Sequence, residues 1–360
     1  MNEALELINI DEQLGQEVPA PLRGTRFAES YSRDERHHRA NLPSPPDKFL
    51  QTLAENAGVI AEGCPSIFFF GGGQIGMEDY EHGVRTSGRI ASAYGKMQSA
   101  TGSGPGIMEA AHVGPTRAIN GNARNVGVTL EGLVHKEAPG VHNDELVTLF
   151  NMARRLGFFW RFDQGGVTFK GGIGSLEEIV SGFAILLHPK NKGLHYPFVL
   201  SEPEKGEGTY MHTVMRFLEK TVGTKVHQHF TLHQGDSTEG LEAIMKLEAS
   251  KTGHWHSDLH LPSIAFYPFK LDTAHIQKID LTAPQDDPVR FLGHVRWFMN
   301  LLVQLIMIDR EGKFLQENGI PQVRASHEVV GALMPVLDMV WREGRVKTDK
   351  NLDELVQFNS

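Results

Sequence analysis

The stretch "KGGIGSLEE" (residues 170–178) sets three glycines, a serine and two carboxylates where an apolar run gives way to helical spacing. Glycines let backbone N–H groups approach a ligand closely. The N-terminus of a following helix adds partial positive charge, a combination suited to phosphate. Ser175 can donate to a phosphate oxygen or cap its helix. Glu178, three residues on, offers either a catalytic carboxylate or the reciprocal half of a Ser-x-x-Glu capping box, with both residues in the first helical turn. Its neighbour Glu177 is expected to face solvent. Upstream, "MARR" (152–155) supplies Arg155, with Arg154 as its rival. A carboxylate and an arginine beside a sugar phosphate suit cleavage of an N-glycosidic bond. The carboxylate answers the positive charge that develops on the ribose or orients a water, and the arginine holds phosphate or balances the departing base.

Two more glycine clusters follow apolar, strand-like runs. Gly71, Gly72 and Gly73 come after "SIFFF" (66–70), and Gly102, Ser103, Gly104 and Gly106 come after "KMQSAT" (96–101). In an open parallel sheet, ligands bind beyond the carboxyl ends of the strands, so three such loops can converge on one crevice. The third loop would contribute Gly171, Gly172, Gly174 and Ser175. Met108 and Glu109 would border the base or ribose, while Asn151 and Met152 would face the base from the arginine helix. None of the loops is a Walker loop, because no Gly-Lys-Ser/Thr triplet occurs, and Pro105 breaks a GxGxxG fingerprint.

The elements that must position these residues alternate. Strand-like runs at 66–70, 125–130, 165–169, 196–201 and "HFTLH" (229–233) are separated by helical spacing at 77–95, 147–162, 175–187 and 209–222. That order predicts an α/β fold, a Rossmann-like parallel sheet with helices on both faces. Residues 1–47 read as an N-terminal extension, charged and then proline-rich. Residues 48–250 form the nucleotide-binding catalytic domain, and 251–360 a mainly helical C-terminal region, with helices at 287–309 and 326–344.

Composition narrows the function classes. A net charge of −9 over 360 residues gives no bulk attraction to nucleic acid polymers or anionic membranes. The single cysteine, Cys64, precludes an intrachain disulfide. The most apolar stretch, 298–308, is too short to span a bilayer. A cytoplasmic protein is expected. His254, His256 and His260 cluster in "HWHSDLH" (254–260), which reads as a polar linker rather than a metal site.

The pairing of "GSGPGIMEAA" with "GGIGSLEEI", with "MARR" between them, resembles the LOG, or lysine decarboxylase-like, family, whose signature is PGGxGTxxE. Within it, the chain is most similar to the larger bacterial nucleotide 5′-monophosphate nucleosidases, over roughly residues 60–250. The resemblance implies hydrolysis of nucleoside 5′-monophosphates to free base and ribose 5-phosphate. It places the catalytic residues on Arg155 and Glu178 and the phosphate loop on Gly171, Gly172, Gly174 and Ser175, and it implies a homo-oligomer, dimer or tetramer. Two signature positions differ: Lys170 stands at the proline and Ser175 at the threonine. Ala153 and Leu156 stand where smaller members have a histidine and a lysine. No cofactor or metal is called for. The expected partner is a nucleoside 5′-monophosphate. A non-catalytic nucleotide carrier or sensor with the same crevice is the alternative.

Overall fold

In a computed structural model of the chain, the residues described are 25–27, 64–118, 122–130, 140, 142–149, 152–194, 196–236, 241–242, 245, 259–262, 270–282, 287–309 and 311–359. The strands are β1 (Thr25–Phe27), β2 (Ser66–Phe70), β3 (Lys96–Thr101), β4 (Asn122–Leu130), β5 (Glu145–Leu149), β6 (Gly165–Phe169), β7 (Phe198–Glu202) and β8 (Thr231–Gln234). They form one sheet in the order β1-β5-β4-β3-β2-β6-β7-β8, and every pairing is parallel. Helices α1 (Met77–Tyr94), α2 (Ile107–Arg117), α3 (Met152–Phe162), α4 (Ile173–Leu186) and α5 (Tyr210–Val222) lie between the strands in sequence. This is the expected Rossmann-like α/β architecture.

The central strand β2 explains why the sheet is covered on both faces. All five of its residues are buried, as a parallel strand between two helical layers requires. Its side chains alternate. Phe68 and Phe70 join the larger core with Phe158, Phe159 and Trp160, whereas Ile67 and Phe69 join the smaller one with Ile90 and Ile107.

One expectation is corrected near the sheet edge. Residues 147–149 are strand, not the start of a helix over 147–162. Val147 and Leu149 are buried and the segment pairs with β4, so sheet pairing outweighs helical spacing; the helix begins at Met152. Within the stretch read as an extension, Thr25–Phe27 forms the edge strand against β5.

The C-terminal region is helical: α6 (Thr273–Ile276), α7 (Pro288–Val303), α8 (Lys313–Asn318) and α9 (His327–Arg342). It also holds short strands β9 (Asp280–Leu281), β10 (Gln322–Ala325) and β11 (Gln357–Asn359), paired in parallel and absent from the sequence reading. Asp287 caps α7 by accepting from the Arg290 N–H at 3.0 Å, and Pro288 takes the first helical position, where no N–H partner is needed. Instead of continuing to 309 as an α-helix, α7 passes into a π-turn over Gln304–Ile308. Apolar residues of α7 and α9 belong to the same core as Phe68 and Trp160, so this region closes over the α/β layers. Among the described residues no helix is long and apolar enough to cross a membrane.

Candidate active site

The sheet order places β2 between β3 and β6, so the chain winds one way through β3, β4 and β5 and the other way through β6, β7 and β8. The crevice opens at that switch point, where the loops after β2, β3 and β6 meet. Their contacts are close enough to require glycine. The Gly72 N–H donates to the Lys170 carbonyl at 3.2 Å, and the Gly72 carbonyl accepts from the Ile107 N–H at 3.0 Å. A β-carbon on Gly106, whose φ is +74°, would lie 2.5 Å from the Gly72 oxygen.

Together the loops wall a cavity of about 230 Å³. Of the residues expected at the site, Gly71, Gly72, Gly73, Gly102, Ser103, Gly104, Met108, Arg155, Gly172, Gly174, Ser175 and Glu178 line it. Gly106, Gly171 and Glu109 do not. Gly106 and Gly171 instead let the loops pack against one another. Glu109 lies near Tyr80, whose hydroxyl pKa is pushed up to about 12, chiefly by burial and secondarily by this carboxylate. Met152 opens α3; its side chain, that of Arg154 and all of Asn151 lie outside the described residues.

Helix α4 starts two residues earlier than expected, at Ile173. Its N-cap is Gly172, which supplies no side-chain cap. Ser175 therefore lies inside the first turn and does not cap the helix, and Glu178 falls in the second turn. The capping-box reading of Ser175 and Glu178 is excluded. Spaced three apart, the two side chains share the helix face that lines the cavity.

Arg155 is 7% exposed. Its Nε donates to the Val128 carbonyl at 2.8 Å, and its guanidinium carbon lies 5.8 Å from the centroid of the Phe159 ring. Burial pushes the Glu178 carboxyl up to about 8; the Arg155 charge opposes that shift and the Glu177 charge adds to it. Glu178 is therefore mainly protonated at neutral pH. Ser103 adopts φ +61°, a left-handed conformation uncommon for serine. Two loop residues hold it there: its Oγ accepts from Asn143 Nδ2 at 2.7 Å, and its carbonyl accepts from the Gly140 N–H at 3.0 Å.

Two neighbours of the signature behave unexpectedly. Glu177 is not solvated; it is 2% exposed. It pairs with Arg296 Nη2 at 3.1 Å, and Asn300 Nδ2 donates to both its oxygens at 3.1 and 3.2 Å. Burial still raises its pKa, with Arg296 opposing. Both glutamates line the cavity, but one residue is about 100° of helix rotation, so their partners differ: Glu177 is held by Arg296 and Asn300 of α7, whereas Glu178 shares the face of Ser175. Lys170 is buried too, but it points away from the cavity lining. It pairs with Asp79 at 2.9 Å and with Glu204.

The sequence reading missed one side of the site. Val303, Ile306 and Met307, at the end of α7 and in the π-turn, line the cavity, as do Arg345, Val346 and Lys347 just after α9. Nothing in the sequence ties "GRVK" (344–347) to the glycine loops; two alternating cations after a helix read as ordinary surface charge. Of the histidine cluster, 254 and 256 lie outside the described residues. His260 packs its ring against His188 at 4.2 Å, and its N–H donates to Asn191 Oδ1.

Comparison with known proteins gives two results. The family model described as "Possible lysine decarboxylase" matches residues 108–246. Pyrimidine/purine nucleotide 5′-monophosphate nucleosidases of Escherichia coli K12 and O157:H7 are each 28% identical over 191 residues, which is 52% of this chain and 41% of each relative. The match thus spans about two fifths of the length of these relatives. Both results uphold the likeness read from the glycine loops: the chain is similar to the LOG, or lysine decarboxylase-like, family over the segment running from α2 past β8.

Proposed function

We propose that the protein hydrolyses nucleoside 5′-monophosphates at the N-glycosidic bond, releasing free base and ribose 5-phosphate. One observation carries this reading: Glu178, protonated at neutral pH, and Arg155 line the same cavity as the three glycine loops. The nucleosidase relatives support it through the substrate class in their name.

The α4 N-terminus and Ser175 hold the 5′-phosphate, which places the ribose one helical turn further on, beside Glu178. As the C1′–N bond breaks, the electron pair leaves with the base. Glu178 gives its proton to that base, in keeping with a carboxyl whose pKa burial has raised. The carboxylate left behind faces the ribosyl cation and stabilises it. Water then adds to C1′ and returns a proton to Glu178, so the enzyme ends in its starting state. Arg155, buried and fixed by Val128, supplies fixed positive charge to the departing base.

Incubation with purine and pyrimidine monophosphates, with free base and ribose 5-phosphate both quantified, tests the proposal. Equimolar appearance of the two products is expected. Tight binding of the nucleotides without turnover would replace the enzyme with a carrier or sensor.

A further inference from the structure

We infer that Lys347 is the cation that receives the 5′-phosphate, and that residues 345–347 form a second jaw facing the α4 N-terminus. The inference rests on the nucleosidase reading of the cavity and names a residue outside the segment that carries the family likeness.

A phosphate near the α4 N-terminus gains backbone N–H groups and the partial charge of a helix end, about half a unit. A dianion calls for more. Lys170, the cation nearest in sequence, is held by Asp79 and Glu204 and does not line the cavity. The C-terminal segment comes closer. The Arg345 carbonyl lies against the phosphate loop, 2.4 Å from where a β-carbon on Gly172 would stand. That approach is possible only because residue 172 is glycine.

Arg345 fixes the segment in place. It is 8% exposed and lines the cavity. Nη2 meets Asp79 at 2.9 Å and Nε meets Glu343 at 2.7 Å, while Nη1 is buried without a hydrogen-bond partner. A buried guanidinium nitrogen in that condition is costly, and an anion in the cavity would relieve it. Asp79 is shared between Arg345 and Lys170, so one carboxylate ties the jaw to the strand that leads into the signature loop. Arg345 is thus the positioning residue. Lys347, two residues on, lines the cavity with an exposed side chain and has no ion-pair partner among the described residues. It is the cation left over for the ligand.

Calorimetric titration tests this in Glu178→Gln protein, which should bind substrate without consuming it. Adenosine 5′-monophosphate, ribose 5-phosphate and adenosine are the probes. Adding Lys347→Ala should weaken both phosphorylated probes by about tenfold or more, as expected for one charge-assisted hydrogen bond, and leave adenosine unchanged. Lys347→Arg should recover most of the loss. In the otherwise wild-type enzyme, Lys347→Ala should raise KM by more than it lowers kcat. Because Lys347 is exposed, its loss should not impair folding. Unchanged ribose 5-phosphate affinity in Lys347→Ala would overturn the inference and leave the nucleosidase reading standing, as would an equal loss for adenosine. Failure of the parent protein to bind any monophosphate would take down both.

Discussion

Arg155 and Gly102 are in such close contact that a β-carbon on the glycine would stand 1.8 Å from the arginine Nη2. What must yield to any side chain at 102 is side chain and not backbone: the guanidinium tip first, and Met108 Sδ, 2.7 Å from the same point. Gly102→Ala should therefore reproduce Arg155→Ala: kcat/KM falls by about a hundredfold, as for loss of a fixed charge aimed at a reaction centre, with a small change in Tm. A fully active Gly102→Ala enzyme would show that the guanidinium position does not matter.

Glu178→Gln keeps the side-chain shape but has no proton of carboxylic acidity to give. The rate should fall by at least about a hundredfold, with nucleotide affinity close to wild type. Glu317→Gln, an exposed glutamate on α8, is the control. Normal turnover by Glu178→Gln would remove the residue from the mechanism.

The raised Glu178 pKa also sets a pH dependence. The carboxyl is neutral below about 8 and charged above it. If the neutral form is the proton donor, kcat/KM should be level through neutrality and fall as pH rises through about 8. A rate that rises through that range would mean that the ionised form is the working one.

Glu177 should report on stability instead. Glu177→Gln removes the carboxylate that pairs with the buried Arg296 charge. Breaking a buried pair in this way costs about 3–5 kcal/mol. Thermal or denaturant unfolding checks the value. The neutral pair Glu177→Leu with Arg296→Met should lose less than either single change, since no charge is left stranded.

Ser175→Ala should weaken monophosphate binding by about 1 kcal/mol, the usual worth of one hydrogen bond. The fold should be unaffected, because Ser175 does not cap α4. Equal turnover of inosine and its monophosphate would show that the loop does not hold phosphate.

Local spacing in the sequence was enough to place strands and helices in alternation, three glycine loops at strand ends, and an arginine and a glutamate near them. Those features depend on residues a few positions apart, where periodicity and glycine content act directly. That Glu177, expected to face solvent, would be buried and ion-paired was beyond its reach. That depends on the rotation of α4 against α7, and so on Arg296 and Asn300 arriving from far along the chain. The same holds for Lys170: its sequence position puts it beside the phosphate loop, yet Asp79 and Glu204 draw it aside. Lys347 could be recognised as part of the site only once α9 had packed against the α/β layers and Arg345 had locked onto Asp79, because sequence distance carries no record of which surface charges a fold brings together.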